Sequence, residues 1–189
     1  MAGLGLYAMG WCGFPRAQIY SIAANKQTAN VLFKDGVAMC RADMPERDEG
    51  ETLESKGHVV IRGEGDNAWK IEHPGSRGFF LPLAGGTAQS GPRPRMVLAD
   101  EIHEFTEDTQ IEIWKQAIAK VAGSAMMVLG TNTPAAAQHV GTSMSEVAQA
   151  IARGELKDDT AFAFVARVDR ADRETVFDNP ACWGKSLPA

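Results

Sequence analysis

Two short polar tips hold the side chains in this 189-residue sequence that are best suited to chemistry. Asp100 and Glu101 stand side by side after the apolar run MVLA at 96–99. Thr131, Asn132 and Thr133 follow a second apolar run, AMMVL at 125–129. Adjacent carboxylates make sense in a nucleotide hydrolase if their tasks differ. The first holds Mg²⁺ through water, and the second orients and polarises the attacking water. Hydroxyl and amide side chains on a neighbouring tip can sense a γ-phosphate or that water by hydrogen bonding. Each tip also has a plainer account: a strand ending on a solvated acidic pair, and a strand-to-helix turn rich in Thr, Asn and Pro.

Strands must position both tips. Residues 96–99 follow Pro94 and contain no polar residue, which predicts a strand buried on both faces. Residues 125–129 predict a second fully apolar strand, and AFAFVARV at 161–168 a third apolar one. Further strands are expected at 17–23, 58–62, 69–72 and 78–83, the last three separated by GEGDN and HPGS turns. Residues 2–10 read as the last turns of a helix stopping at Gly10 or Gly13. Asn25 can cap a second helix running to about Arg41, with Ala29, Leu32, Phe33, Val37 and Cys40 at helical spacing. Thr106 or Asp108 caps a third, on which Ile111, Ile113, Trp114, Ile118 and Val121 recur up to Gly123. A fourth is expected over 142–153, with Met144, Val147, Ala148 and Ile151 inward and Gly154 as its stop. Strands alternating with helices predict a single three-layer α/β domain with a mostly parallel sheet. Asp100, Glu101 and Asn132 should then cluster at one edge of it.

Several function classes receive no support. Net charge is −5, with 44% hydrophobic and 23% charged residues, so no overall basic field grips nucleic acid. Cys12, Cys40 and Cys182 form no CxxC pair, which points to reduced buried thiols rather than a disulfide framework or zinc site. The opening MAGLGLYAMGWCG lacks the basic start of a secretory signal and is too short and Gly-rich to span a bilayer. His58 and His73 have no ligand types at metal spacing and read as surface or hydrogen-bonded histidines. His103-Glu104 lacks the second histidine of a zinc-protease helix. The DMPERDEGETLE stretch at 43–54 reads as a solvated acidic loop. A phosphate loop with its Lys-Ser/Thr ending is missing. Gly184-Lys185-Ser186 is a decoy, because Asn179 stands where the pattern needs glycine and no helix can follow.

With these motifs in place, the chain resembles the ATPase domain of a tailed-bacteriophage terminase large subunit, the DNA-packaging motor. The matching stretches are AQIYSIAANKQTANVLFKDGVAM, AQSGPRPRMVLADEIHEF, MMVLGTNTP and FAFVARVDRADRETVFDNPACWGKSLPA, in the family's order and covering most of the chain. The resemblance implies a P-loop NTPase fold of the RecA-like kind. In it, Asp100 is the Walker B aspartate holding Mg²⁺ through water, Glu101 is the catalytic glutamate, and Thr131 and Asn132 fall in the coupling motif. It also implies ATP as the nucleotide, double-stranded DNA, a terminase small subunit and a portal protein as partners, a homo-oligomeric ring for the full-length protein, and the cytoplasm of a bacterial host.

AGLGLYAMG matches the end of the helix that begins at the phosphate loop, and WGKSLPA the segment before the nuclease domain. Residues 1–189 are thus expected to be a partial ATPase domain, inactive alone and binding Mg-ATP weakly. In the terminase-like arrangement the strand bearing the phosphate loop sits between 125–129 and 161–167. Without it, 161–167 should close up, detach or drive self-association, and residues 2–10 should pack poorly. Two alternatives stand beside this reading. Asp100-Glu101-Ile102-His103 also fits the DExH box of a helicase motor domain, which would need a second RecA-like domain. The chain could equally be a non-enzymatic α/β interaction module. Arg77, Arg93 and Arg95 are weak candidates for a phosphate or inter-subunit arginine.

Overall fold

The computed structural model describes all residues except 46–47, 85–90, 133, 136, 169, 176–177 and 183–189. Thr133, most of the Gly/Pro-rich loop before Arg95 and the Gly184-Lys185-Ser186 decoy therefore lie outside the described residues. In chain order the elements are α1 (Ala2–Gly10), β1 (Gln18–Ala23), α2 (Lys26–Arg41), β2 (Val60–Arg62), β3 (Lys70–His73), β4 (Gly78–Ala84), β5 (Met96–Ala99), α3 (Thr109–Ala119), β6 (Met126–Leu129) and α4 (His139–Ala152). By its contacts the chain divides into two compact units, Met1–Thr142 and Ser143–Ala189. The whole sheet belongs to the first.

Six strands form one mixed sheet in the order β2-β3-β4-β1-β5-β6. β4, β1, β5 and β6 run parallel, while β2 and β3 add an antiparallel flank. All four residues of β5 are buried, as suits an apolar run with a strand on either side and a helix layer over the sheet. One face carries Ile19, Phe80 and Leu98 against α1 and α2. Phe33 of α2 meets Phe80 edge-on with ring centroids 5.6 Å apart. On the opposite face Tyr20 packs against Trp114 of α3, centroids 5.3 Å apart, with Ile111 buried beside it. Helices on both faces make the three layers.

Local chemistry fixes the helix ends. Asn25 caps α2 by accepting the Thr28 N–H at 2.9 Å. Asp108 holds the cap position of α3 without a side-chain cap bond, and that helix stops at Ala119. The Ser21 hydroxyl is fully buried and donates to the Ala29 carbonyl at 3.1 Å, which ties β1 to α2. Cys40 and Cys182 are buried free thiols, and Cys12 is half-buried. Burial, with the Glu54 charge as a lesser cause, pushes the Cys40 thiol up to about 12.

Three expectations are corrected. Residues 161–168 form no strand; the strand order ends at β6, and a run of β-formers becomes a strand only where a neighbour supplies the ladder. α1 packs well instead of poorly. It lies over β1, β4 and β5, with Ala2, Leu6, Ala8 and Met9 buried. Its last turn is tied down where the Ser76 hydroxyl donates to the Met9 carbonyl at 2.8 Å. α4 begins at His139, and Val147, expected inside, is exposed.

Gly5 lets α1 come this close. A Cβ there would stand 2.8 Å from Leu98 Cδ1 and 3.3 Å from Ile19 and Phe80. Gly5→Val should therefore cost about 1–3 kcal/mol by overpacking, read as a lower urea midpoint, and an unchanged midpoint would mean α1 is not seated there. His73, hydrogen-bonded as expected, accepts the Ser76 N–H on Nδ1 at 3.0 Å and packs edge-on against Trp11. Burial first, and then the His58 charge, lowers its pKa. The folded state binds its proton less readily than the unfolded chain, whose value is about 6.5. The His73 contribution to stability is complete above that pH and is lost as pH falls toward the lower folded value. Urea unfolding at pH 7.5 and 5.5 should show a smaller pH difference for His73→Gln than for the parent.

Candidate functional site

The parallel ladder carries one residue past the strands and sets the site. Asp100 N–H bonds the Ile22 carbonyl at 3.0 Å, and Gly130 N–H bonds the Ala99 carbonyl at 2.8 Å. Asp100 and Gly130 thus leave the same edge of the sheet side by side. A Cβ on Gly130 would stand 2.9 Å from Met1 Sδ and 3.3 Å from Asp100 Oδ1, so the glycine lies in close contact with both side chains.

After Asp100 the chain turns sharply. Glu101 adopts φ 50° and ψ 49°, a left-handed conformation that costs a non-glycine residue about 1–2 kcal/mol. A single 3₁₀ turn, Ile102–Glu104, follows. Ile102 and Phe105 are buried and anchor it, and Ile102 N–H bonds the Gly130 carbonyl at 3.2 Å. The turn swings His103 back over the β6 tip, where Nδ1 lies 3.1 Å from Thr131 Oγ1 and 3.2 Å from Glu101 Oε2. Asp100 Oδ1 accepts the Glu101 N–H at 3.1 Å. Glu101 Oε2 is buried yet makes no hydrogen bond, because the His103 approach is within ion-pair range but outside bonding geometry. Thr131 donates to the Asn132 carbonyl at 3.0 Å, and Thr131 and Asn132 are exposed.

Asp100, Glu101, Thr131 and Asn132 accordingly stand on one edge, that of the strand carboxyl ends. The three arginines stand on the other. Arg77 and Arg95 directly precede β4 and β5, and the Arg93 N–H bonds Gln18 Oε1 at the start of β1. Arg95 donates to the Ala122 and Ser124 carbonyls and lies over the Phe14 ring, 4.1 Å from guanidinium carbon to centroid. Its role is to hold the turn before β6.

The residues fit Mg²⁺ held through water. Asp100 projects a carboxylate beside a glycine, and an orphaned Glu101 oxygen lies next to it. Among the described residues no cluster of three or more His, Cys, Asp or Glu side chains could bind a metal unaided. Remaining ligands would have to come from water and nucleotide.

The sequence placed His103 in a possible DExH box without its contact to Thr131, and Gly141 was not singled out. A Cβ at Gly141 in the first turn of α4 would stand 2.6 Å from His103 Cα and 3.0 Å from Pro134 Cβ. The histidine three positions after Asp100 was the available signal, but its direction depends on a 3₁₀ turn that no periodicity announces.

No family model and no curated protein matches the sequence. Solved structures do. The HK97 bacteriophage large terminase is similar over 99% of this chain and 37% of its own, with 19% identity and a TM-score of 0.62. The Thermus phage P74-26 large terminase ATPase domain matches 68% of this chain and 52% of its own at 14% identity, TM-score 0.45. A large terminase from a thermophilic bacteriophage, in complex with ADP, matches 87% of this chain and 44% of its own at 10% identity, TM-score 0.48. The HK97 likeness shows that this chain has the α/β fold of a phage large terminase, and that it spans 37% of that protein's length.

Because Gly141 meets backbone rather than a movable side-chain end, Gly141→Val cannot be absorbed by rotation. We expect a loss of about 1–3 kcal/mol in urea unfolding together with a shift of the His103 imidazole resonances. A variant with parental stability and an unmoved His103 would contradict this packing.

Proposed function

We propose that this chain is part of the ATPase domain of a phage or prophage terminase large subunit, the motor that couples ATP hydrolysis to DNA packaging. One observation carries the reading. Two adjacent carboxylates leave a fully buried interior strand at the carboxyl edge of the sheet, beside the polar tip of the neighbouring parallel strand. The terminase-like fold over nearly the whole chain supports it.

In this reading Asp100 would hold Mg²⁺ through water. Glu101 takes the lytic water as a hydrogen-bond partner through the accessible part of its carboxylate, a side chain about one third exposed. Thr131 and Asn132 relay the state of the site to DNA movement. When bound, Mg-ATP would supply the phosphoryl group, and its Mg²⁺ would offset the charge that develops there. A phosphate loop, double-stranded DNA, a small subunit, a portal protein and further copies in a ring complete the motor in the bacterial cytoplasm. No helix among the described residues is long and apolar enough to cross a membrane.

The test is turnover in the longest protein that contains both this chain and a phosphate loop. Glu101→Gln keeps the shape of the side chain but removes the charge that polarises water. It should lower kcat for ATP by about 10²-fold or more while nucleotide binding persists. Unchanged turnover rejects the role of Glu101. ATPase activity that double-stranded DNA leaves unaffected but a single strand stimulates would favour the DExH helicase alternative. No activity in any such protein would leave the interaction module.

A further inference from the structure

His103 Nδ1 lies within 3.2 Å of a side chain on each polar tip, and its hydrogen-bond arithmetic is restrictive. Nδ1 carries at most one hydrogen, whatever the charge of the ring. The Thr131 hydroxyl hydrogen is committed to the Asn132 carbonyl at 3.0 Å, so the Thr131 oxygen meets Nδ1 at 3.1 Å as an acceptor. In the Nδ1–H tautomer the single hydrogen therefore points at Thr131. Glu101 Oε2, 3.2 Å from the same nitrogen and buried, receives none. Two acceptors compete for one donor, and in this structure the neutral one holds it. A carboxylate is the stronger acceptor, roughly twice as strong as a neutral group. Thr131 keeps the hydrogen through geometry: the 3₁₀ turn and the Gly141 contact seat His103 Cα and Cβ, Nδ1 faces the β6 tip, and a turn of the ring about its own bonds would bring Nδ1 in line with Glu101.

We propose that His103 is a positioning residue that links Glu101 to the β6 tip: its Nδ1 hydrogen rests on Thr131 Oγ1 and passes to Glu101 Oε2 when the Thr131 hydroxyl is withdrawn. Glu101 is then free to take a water while Thr131 is engaged, and is held by the imidazole when Thr131 is not. This inference rests on the reading of Glu101 as the water-orienting carboxylate. It adds a regulating contact that the sequence did not assign.

The test uses the chain as it is, with ¹⁵N-labelled histidine and the His103 signal identified among the four histidines by its loss in His103→Gln. The parent should show a protonated Nδ1 whose resonance is nearly unmoved by Glu101→Gln, since the hydrogen is not on Glu101. Thr131→Val replaces the hydroxyl with a methyl at an exposed position and should move the Nδ1–H proton downfield, as expected for a shorter, charge-assisted bond. Thr131→Val combined with Glu101→Ala should abolish that shift and hasten exchange with solvent. A parent His103 protonated on Nε2 alone, a parent signal that collapses in Glu101→Gln, or a Thr131→Val spectrum with His103 unmoved would each overturn the proposal. None of these readouts needs ATP, so the relay and the ATPase reading fail separately. Spectra as described with turnover indifferent to Glu101→Gln would reject the reading of Glu101 and keep the contact. The opposite pattern would keep the catalytic role and remove the relay.

Discussion

The backbone bond from Gly130 N–H to the Ala99 carbonyl, 2.8 Å long, fixes where everything at the site stands. It continues the parallel β5–β6 ladder past the last strand residues and so locks the exits of two strands in register. A slip of one residue would turn the side chains of either strand to the opposite face. Asp100 would then lose its place beside Gly130, and the 3₁₀ turn its bond to the Gly130 carbonyl. The ladder holds because β5 is buried on both faces. Its hydrogen bonds have no water to compete with, and the burial of Val97, Leu98 and Ala99 depends on the same register.

What was legible in the sequence is what depends on neighbours along the chain. The β5 run announces itself by composition, Asn25 by cap chemistry, and the α2 core face by spacing. The two polar tips could be placed on one edge because parallel strands share their carboxyl ends. The 161–168 run has the composition of a strand but pairs with no strand among the described residues, and composition cannot supply a partner. The poor packing expected of α1 assumed a missing strand beneath it, yet the helix covers β1, β4 and β5, and Gly5 allows its backbone to reach Leu98 and Phe80. Helix propensity and close approach ask opposite things of the same residue, and only packing decides between them. The His103–Thr131 bond was hidden for another reason. It joins residues 28 positions apart through a turn too short to have a period.

Charge follows the polarity of the sheet. At the amino edge Arg95 binds carbonyls and a phenylalanine ring, which makes it a fastener for the turn before β6. At the carboxyl edge two acidic side chains are adjacent in sequence. Among the described residues, the basic group within ion-pair range of Glu101 is a histidine whose Nδ1 is directed at a hydroxyl. Such an edge is poorly neutralised from within, and cations or polarised water are the natural company of its carboxylates.

The left-handed backbone at Glu101 has a consequence for anyone altering this chain. Glycine, and to a lesser degree asparagine, adopts that conformation with less strain. A redesign guided by folding stability alone would therefore favour replacing this residue, and would erase the carboxylate without disturbing the fold around it. A variant library sorted for folding and one sorted for turnover should part ways at position 101 before anywhere else on the β5 exit, and the residue each keeps there tells which demand has shaped it.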